Sequence, residues 1–385
     1  MEAQQQLRFL DQILNGSQKP DGQTFEIDTY RYVSLERLLE EQEKIFQNFP
    51  IVVGAVGQLA KEGVYFLHDL TGVPILVVKG KDGQIRAFLN MCRHRSVRLL
   101  TEETGQIRRN IVCPYHAWAY DTAGCLKGIF HPDGFEGVSA ETHSLIELDC
   151  HLRHGLIFVV PNPNLKGTFN WDTYLAETDK IFQGFSMDTH VPHHFDRRTT
   201  DANWKLLVDG GLEAYHFKIA HAKTIGPYFM DNAGLNHENK LHSTILFPKK
   251  AISRIAEAPK EEWKLRKYAN ILTHIFPNTI VLVELDHMMV VTMFPENEGQ
   301  STSHSFMLIP EVPTTEKAQK HWDINRDIFW TAIQEDNDMA VLQQQSFHGH
   351  ATSPMTIGSF EKLILQFEQL TDQVLAGELT ISDFK

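Results

Sequence analysis

A chain of 385 residues, 42% of them hydrophobic, suits a globular protein of about two domains with ample apolar area for packed cores. Thirty-six Lys and Arg stand against 49 Asp and Glu, a net charge of -13, which argues against nucleic acid or an anionic membrane surface as the main partner. No apolar run approaches the roughly eighteen residues of a membrane span, the N-terminus lacks the pattern of an export signal, and the four cysteines make a poor disulfide framework, so a cytoplasmic protein is expected.

In chain order, residues 1–48 read as helix, loop, helix, a segment expected to pack on the larger C-terminal part of the chain. In SLERLLEEQEKIFQNF, Ser34 stands as the cap, and Leu35, Leu38, Leu39 and Ile45 follow a helical period. Residues 49–163 change texture. Short β-rich runs (IVVGAV, VPILVVKG, QIRAFLN, NIVCPYH, GLIFVVP) alternate with KDG, TAG and PDG turn signals, the pattern of a small antiparallel β-domain. Beyond a boundary near Pro161 to Gly167, residues 164–385 mix helices with long strands such as NTIVLVELDHMMVVTMF and STSHSFMLIP. The expected class is α+β, with a β-rich domain inserted into or joined to a larger α+β domain.

The stretch NMCRHRSVRLLTEETGQIRRNIVCPYHAWAY carries Cys92-x-His94 and Cys113-x-x-His116. Cys and His at short spacings also build structural zinc sites. In zinc fingers, however, cysteines pair with cysteines and histidines with histidines, whereas here each loop offers one of each. Two equivalent halves suit a [2Fe–2S] cluster of Rieske type, in which Cys92 and Cys113 hold one iron and the neutral imidazoles of His94 and His116 the other. Arg93, Arg95, Arg98, Arg108 and Arg109 surround these loops, either as a basic rim for an acidic electron donor or as an ordinary solvated face. Cys125 and Cys150 fit neither loop and are expected to be buried free thiols.

A second constellation lies in NWKLLVDGGLEAYHFKIAH, residues 203–221. On a helix, Asp209, Glu213 and His216 share one face, while His221 joins them only if the helix ends or distorts first. Two histidines and one carboxylate on one side of Fe(II) leave positions open for O₂ and substrate. With twenty histidines in the chain, ordinary surface or core roles compete with that reading.

Taken together, the two loops, the Asp-x-x-x-Glu-x-x-His-x-x-x-x-His run after Asn-Trp-Lys, FPNT at 276–279 and the run WTAIQEDNDMAVLQQQ resemble the Rieske non-haem iron oxygenases over nearly the whole chain. The resemblance implies a helix-grip catalytic domain beside the Rieske domain. It implies a mononuclear iron held by His216, His221 and Asp336, with Asp338 as the runner-up for the third ligand. It also implies O₂ as co-substrate, electrons from NAD(P)H through a separate flavin/iron–sulfur reductase or ferredoxin, and a head-to-tail homotrimer. There Glu213 would join the iron ligands of one subunit to His116 of the next. Asp209 is a further candidate on the same motif. The chain departs from the family at Gly210, where members often carry Asn, at Glu213, where ring-hydroxylating members usually carry Asp, and at Ala117, where many carry Gly. The substrate is expected to be a small organic molecule in a mostly apolar, methionine-rich cavity that includes Tyr228, Phe229 and Met230. Hydroxylation or N- or O-dealkylation is favoured over cis-dihydroxylation. An electron-transfer or ligand-binding protein that has lost the iron is the alternative of another class.

Overall fold

The computed structural model describes residues 3–14, 22–238, 240–257, 259, 263–348 and 354–385. The chain divides into two compact units, one formed by Met1–Glu41 and Trp171–Thr380, the other by Gln42–Asn170 and Ile381–Lys385. The division departs from the boundaries expected at 48/49 and 163/164. Asn162 Nδ2 donates to Asn48 Oδ1 at 2.8 Å, which ties the end of the first segment into the β-rich unit. Likewise, Asn170 N–H donates to Phe384 O at 2.7 Å, and the buried Ile381 and Phe384 belong with that unit although they close the chain.

The β-rich unit holds a seven-stranded antiparallel sheet, in the order Ile51–Ala55, Leu156–Val160, Glu147–Arg153, Ile85–Leu89, Ile75–Lys79, Val64–His68 and Thr104–Gln106. IVVGA and LIFVV are buried at every position, which is why these strands read as continuous apolar runs rather than alternating ones. A small three-stranded sheet, Ile111–Val112, Ala119–Tyr120 and Leu126–Gly128, carries the second Cys/His loop between its first two strands. NIVCPYH therefore supplies only a two-residue strand, because its remainder is the loop itself.

The larger unit is built on a second seven-stranded antiparallel sheet: Val191–Thr200, Gln300–Ile309, Met288–Asn297, Thr279–Val283, Ala269–Ile275, Ser243–Pro248 and Leu235–Glu238. NTIVLVELDHMMVVTMF is two paired strands, not one, since the chain reverses at Glu284–His287, where Glu284 N–H donates to His287 O at 2.9 Å. The 33-residue helix Glu316–His348 and the short helix Trp204–Gly211 pack with this sheet. Beneath the short helix lies a buried charge network in which Lys205 Nζ meets Glu41 Oε1 at 2.7 Å and Tyr32 Oη donates to Asp209 Oδ2 at 2.9 Å. Met289 and Met307 pack with Ile309 and Trp322 in a separate core cluster, so the methionine-rich strands are mainly core. No helix among the described residues is long and apolar enough to cross a membrane.

Candidate metal centres

The two Cys/His loops have the same backbone. Ser96 N–H bonds Cys92 O and Ala117 N–H bonds Cys113 O, both at 3.0 Å, while Cys92 N–H bonds Val97 O and Cys113 N–H bonds Trp118 O, both at 2.8 Å. Each loop turns through a left-handed residue four places after its cysteine, Ser96 with φ 59° and Ala117 with φ 55°. That conformation explains why glycine suits the second position, and the alanine here carries a Cβ through it at some cost. Both thiols are buried, and the Nδ1 atoms of His94 and His116 lie 3.2 Å apart. Trp118 stacks on the His94 ring with centroids 5.1 Å apart. The Tyr120 hydroxyl accepts from Arg93 N–H at 3.0 Å and lies 3.5 Å from Cys92 Sγ, poised to donate to it. Burial raises the Cys92 pKa, and the Tyr120 hydroxyl works against that rise. Burial, the facing His116 and Arg95 lower that of His94, which favours the neutral imidazole a metal needs. Two buried thiols and two convergent imidazoles are the donor set of a Rieske cluster. Around the loops, Arg98 pairs with Asp69 at 3.1 Å and Arg95 Nη1 donates to the Tyr115 hydroxyl at 3.3 Å.

The second centre depends on where a helix stops. Asn203 caps the helix Trp204–Gly211 by accepting from Lys205 N–H at 3.0 Å, and Leu212 N–H closes it on Asp209 O at 2.9 Å. Gly211 lies close to the sheet there, where a Cβ would stand 2.6 Å from Ile280 Cδ1 and the isoleucine side chain would have to shift. Glu213 and His216 therefore lie beyond the helix, and the shared helical face expected for Asp209, Glu213 and His216 does not exist. Instead the Glu213 carboxylate caps the following turn, accepting from the N–H groups of Tyr215 and His216. Asp209 is buried in the charge network with Tyr32; burial first, then Glu368, raises its pKa well above the usual carboxylate range.

The turn sends His216 and His221 to the same point as Asp336 of the long helix. His216 Nε2 and His221 Nε2 are 3.1 Å apart, and Asp336 Oδ1 lies 3.3 Å from the first and 3.0 Å from the second. Three donors about 2.1 Å from one ion at right angles would be separated by about 3.0 Å, so the trio fits one face of an octahedron. Burial opposes a charged imidazole at His216, but Asp336 and Glu213 outweigh it and raise its pKa to about 10. At His221, burial is again opposed by Asp336 and Glu335, and the pKa rises. Burial likewise opposes ionisation of Asp336, and the two histidines overcome it to lower its pKa. The group calls for a cation at its centre, and an Fe(II) ion fits the donors present. Each imidazole is also held from behind at Nδ1, His216 by the Glu213 carboxylate and His221 by Glu335 Oε2 at 2.7 Å. Asp338 is exposed and accepts from Gln334 Nε2 at 2.8 Å, away from the centre.

Sequence reading missed Glu335, which also accepts from Thr224 Oγ1 at 2.6 Å. Its only signal was the EDND run, which is equally the pattern of a solvated helix face.

Two hollows border the trio. A cavity of about 200 Å³ takes His221 and Asp336 as part of its wall, and a more open cleft of about 420 Å³ takes Asp336, His216 and Glu213. The long helix presents Asn325, Phe329, Ala332 and Asp336 to the cavity, a stripe at intervals of three and four residues. Of the side chains expected there, Phe229 and Met293 line it, whereas Tyr228 and Met230 are exposed. Cys125 is exposed rather than buried, and Cys150 is half-buried, its thiol raised to about 12 by burial.

A further group, His193, His194 and Asp323, also brings donor atoms together. There Gln319 Nε2 donates to Asp323 Oδ1 at 3.0 Å and lies 3.3 Å from His193 Nε2, while Arg326 Nη1 approaches His194 Nδ1 at 3.2 Å. With an amide and a guanidinium among its donors, the group is a hydrogen-bonded network.

Residues 49–136 match the Rieske [2Fe–2S] domain family, and residues 186–377 match the catalytic domain of the ring-hydroxylating alpha subunit. A carnitine monooxygenase oxygenase subunit from Acinetobacter pittii is 32% identical over 192 residues, covering 49% of this chain and 51% of that protein. The alpha subunit of biphenyl 2,3-dioxygenase from Rhodococcus jostii is 29% identical over 202 residues, covering 49% of this chain and 41% of that protein. The chain thus spans about half the length of the curated relatives it matches. Among solved structures, a quaternary ammonium Rieske monooxygenase described for carnitine oxidation and inter-subunit electron transfer superposes with a TM-score of 0.77 at 22% identity, over 95% of this chain and 98% of that one. At that identity the likeness shows the fold.

Proposed function

The chain belongs to the Rieske-type oxygenase alpha subunits, with a Rieske [2Fe–2S] domain and a ring-hydroxylating catalytic domain, and from that membership we propose that it is the terminal component of an oxygenase system. Electrons would come from NAD(P)H through a separate reductase, with or without a ferredoxin, in the cytoplasm. The substrate would be a small organic molecule undergoing hydroxylation or N- or O-dealkylation, in keeping with the monooxygenases among its relatives. The observation that carries the proposal is the meeting of His216 Nε2, His221 Nε2 and Asp336 Oδ1 within 3.3 Å at the wall of a cavity, in a chain that also carries both Rieske loops.

When bound, the cluster supplies single electrons and the mononuclear Fe(II) supplies O₂ activation. Cys92, His94, Cys113 and His116 would hold the cluster, and His216, His221 and Asp336 the iron. Glu213 and Glu335 fix the proton of each iron-ligating imidazole on Nδ1, so that both Nε2 lone pairs face the metal. Apolar side chains, among them Phe217, Phe229 and Leu272, make up much of the cavity wall beside the ligands.

Glu213 would further carry the electron route between subunits of a head-to-tail trimer, accepting a hydrogen bond from His116 of the neighbour. The open cleft beside Glu213 and His216, separate from the cavity, supports this reading because it gives a neighbour access to that carboxylate.

The test is metal content with turnover. Wild type should contain about three irons and two acid-labile sulfides per chain and consume NADH and O₂ with a surrogate reductase. His221→Ala should lose one iron and all product while keeping a Rieske spectrum. Zinc without sulfide would overturn the cluster assignment. Mixed rings of Cys113→Ser and His221→Ala chains should regain activity, and their failure to do so would overturn the intersubunit route.

A further inference from the structure

The cavity beside His221 and Asp336 has a composition that selects among substrates, and its reading as the substrate site rests on the oxygenase function proposed above. Its walls include Phe217, Phe229, Phe247, Leu272, Ile280 and Met293. Among the described residues, two carboxylates line it, Asp336 and Glu284, and no Lys or Arg does. Two cations of the same unit are engaged elsewhere. Arg266 Nε donates to the Glu284 backbone oxygen at 2.6 Å, and Lys249 Nζ donates to Arg266 O at 3.5 Å. A carboxylate entering this space would give up its water and meet Glu284, and among the described lining residues it would find no Lys or Arg, only the imidazoles of His221 and His287.

Ser303, Asn325 and Asn337 also border the cavity, but among the described lining residues Asn270 is the one with a fully buried polar atom left without a partner. Asn270, on the strand Ala269–Ile275, is 6% exposed, and its side-chain amide makes no hydrogen bond among the described residues, its Oδ1 being buried and unsatisfied. A buried amide without partners is costly, and one bordering a ligand cavity has an evident use for its capacity. An amide turns through 180° to present oxygen or nitrogen, so it pairs with a hydroxyl in either orientation and with a carbonyl in one. Being neutral, it cannot offset an acid.

We propose that the cavity takes a compact, largely apolar molecule bearing a hydroxyl or carbonyl group and no acid group, and that Asn270 is the residue that selects it. At about 200 Å³, roughly seven water molecules' worth of space, the cavity suits a single ring or a short chain. A substrate bearing both an acid and a quaternary amine would bring a carboxylate into a wall with no Lys or Arg among its described residues.

The experiment is calorimetric titration of the anaerobic holoenzyme with three probes of similar shape: 2-phenylethanol, propylbenzene and phenylacetate. The alcohol should bind about tenfold or more tighter than the hydrocarbon, because only it satisfies the buried amide, and the acid should bind weakest. Asn270→Leu should abolish the preference for the alcohol and retain propylbenzene, the retained binding showing that the cavity is intact. Phenylacetate binding as tightly as the alcohol, a preference that survives in Asn270→Leu, loss of propylbenzene binding in that variant, or binding of none of the probes would overturn the proposal. If the alcohol binds as expected but no candidate substrate ever draws O₂ and NADH, the oxygenase reading fails and the selection stands. If an acid-bearing compound is bound and turned over, the reverse holds.

Discussion

Glu335→Gln removes one negative charge behind His221 and leaves the shape of the side chain. In the structure, Glu335 Oε2 holds His221 Nδ1 at 2.7 Å and Thr224 Oγ1 at 2.6 Å, and the imidazole it supports is almost fully buried. Charge-assisted hydrogen bonds are roughly twice as strong as neutral ones, so the glutamine keeps an acceptor but a weaker one. Outer carboxylates of metal-bound histidines contribute about 10- to 100-fold to metal affinity, or about 1.4–2.7 kcal/mol. Glu335→Gln should fall in that range. Glu335→Ala should fall at or beyond its upper end, because water cannot easily reach the buried Nδ1 to replace the carboxylate. Competition of the loaded protein with an Fe(II) chelator reads this directly, and the visible spectrum of the Rieske cluster serves as internal control. Asp338→Asn, one turn-face away and exposed, should leave iron retention unchanged. If Glu335→Gln binds iron within about threefold of wild type, the carboxylate does not tune the ligand and the reasoning fails.

Lys205→Met should destabilise the larger unit by about 3–5 kcal/mol in denaturant titration, since it strips a direct ion-pair partner from a buried glutamate, Glu41; a change below about 1 kcal/mol would show that Arg37 and the Trp204 N–H suffice for Glu41. Burial lowers the pKa of His242 to about 3 and that of His274 to about 4, so the folded state binds fewer protons than the unfolded chain between those values and about 6.5. Their stabilising contribution is full above about pH 6.5 and is lost as pH falls toward 3–4, and His242→Gln should give a shallower acid slope in thermal melts. Ala117→Gly relieves a left-handed alanine worth about 1–2 kcal/mol and adds about 0.4–1 kcal/mol of unfolded-state entropy, so thermal bleaching of the cluster should occur at an equal or higher temperature, and a clear fall would refute the strain.

The sequence by itself determined the two metal centres as chemistry. Cys-x-His and Cys-x-x-His are local patterns, and the loops they form are closed by hydrogen bonds four and five residues apart, so the whole ligand geometry of each half lies within one short segment. The apolar runs IVVGA and LIFVV were legible as strands for the same reason, their burial being uniform along a few residues. The sequence also placed His216 and His221 in one short run, but it put Asp209 and Glu213 on one helix face with His216, His221 joining them only if the helix ended. That helix stops at Gly211, and the next turn is capped by Glu213, which accepts from the N–H groups of Tyr215 and His216. Tertiary structure alone separated Asp209, which turns to Tyr32, from Glu213, which turns to His216. The resemblance preferred Asp336 to Asp338, but tertiary structure gives the reason and adds Glu335: consecutive helical residues differ by about 100° in direction, so Asp336 faces the histidines, Glu335 reaches behind His221 and Asp338 faces solvent. The cavity is the clearest case, since Asn270, Glu284 and Phe329 come from two strands' ends and a helix that meet only when the sheet and the long helix pack. Motif chemistry is short-range and is written along the chain, whereas orientation and selectivity arise from contacts between distant segments and exist only in the folded protein.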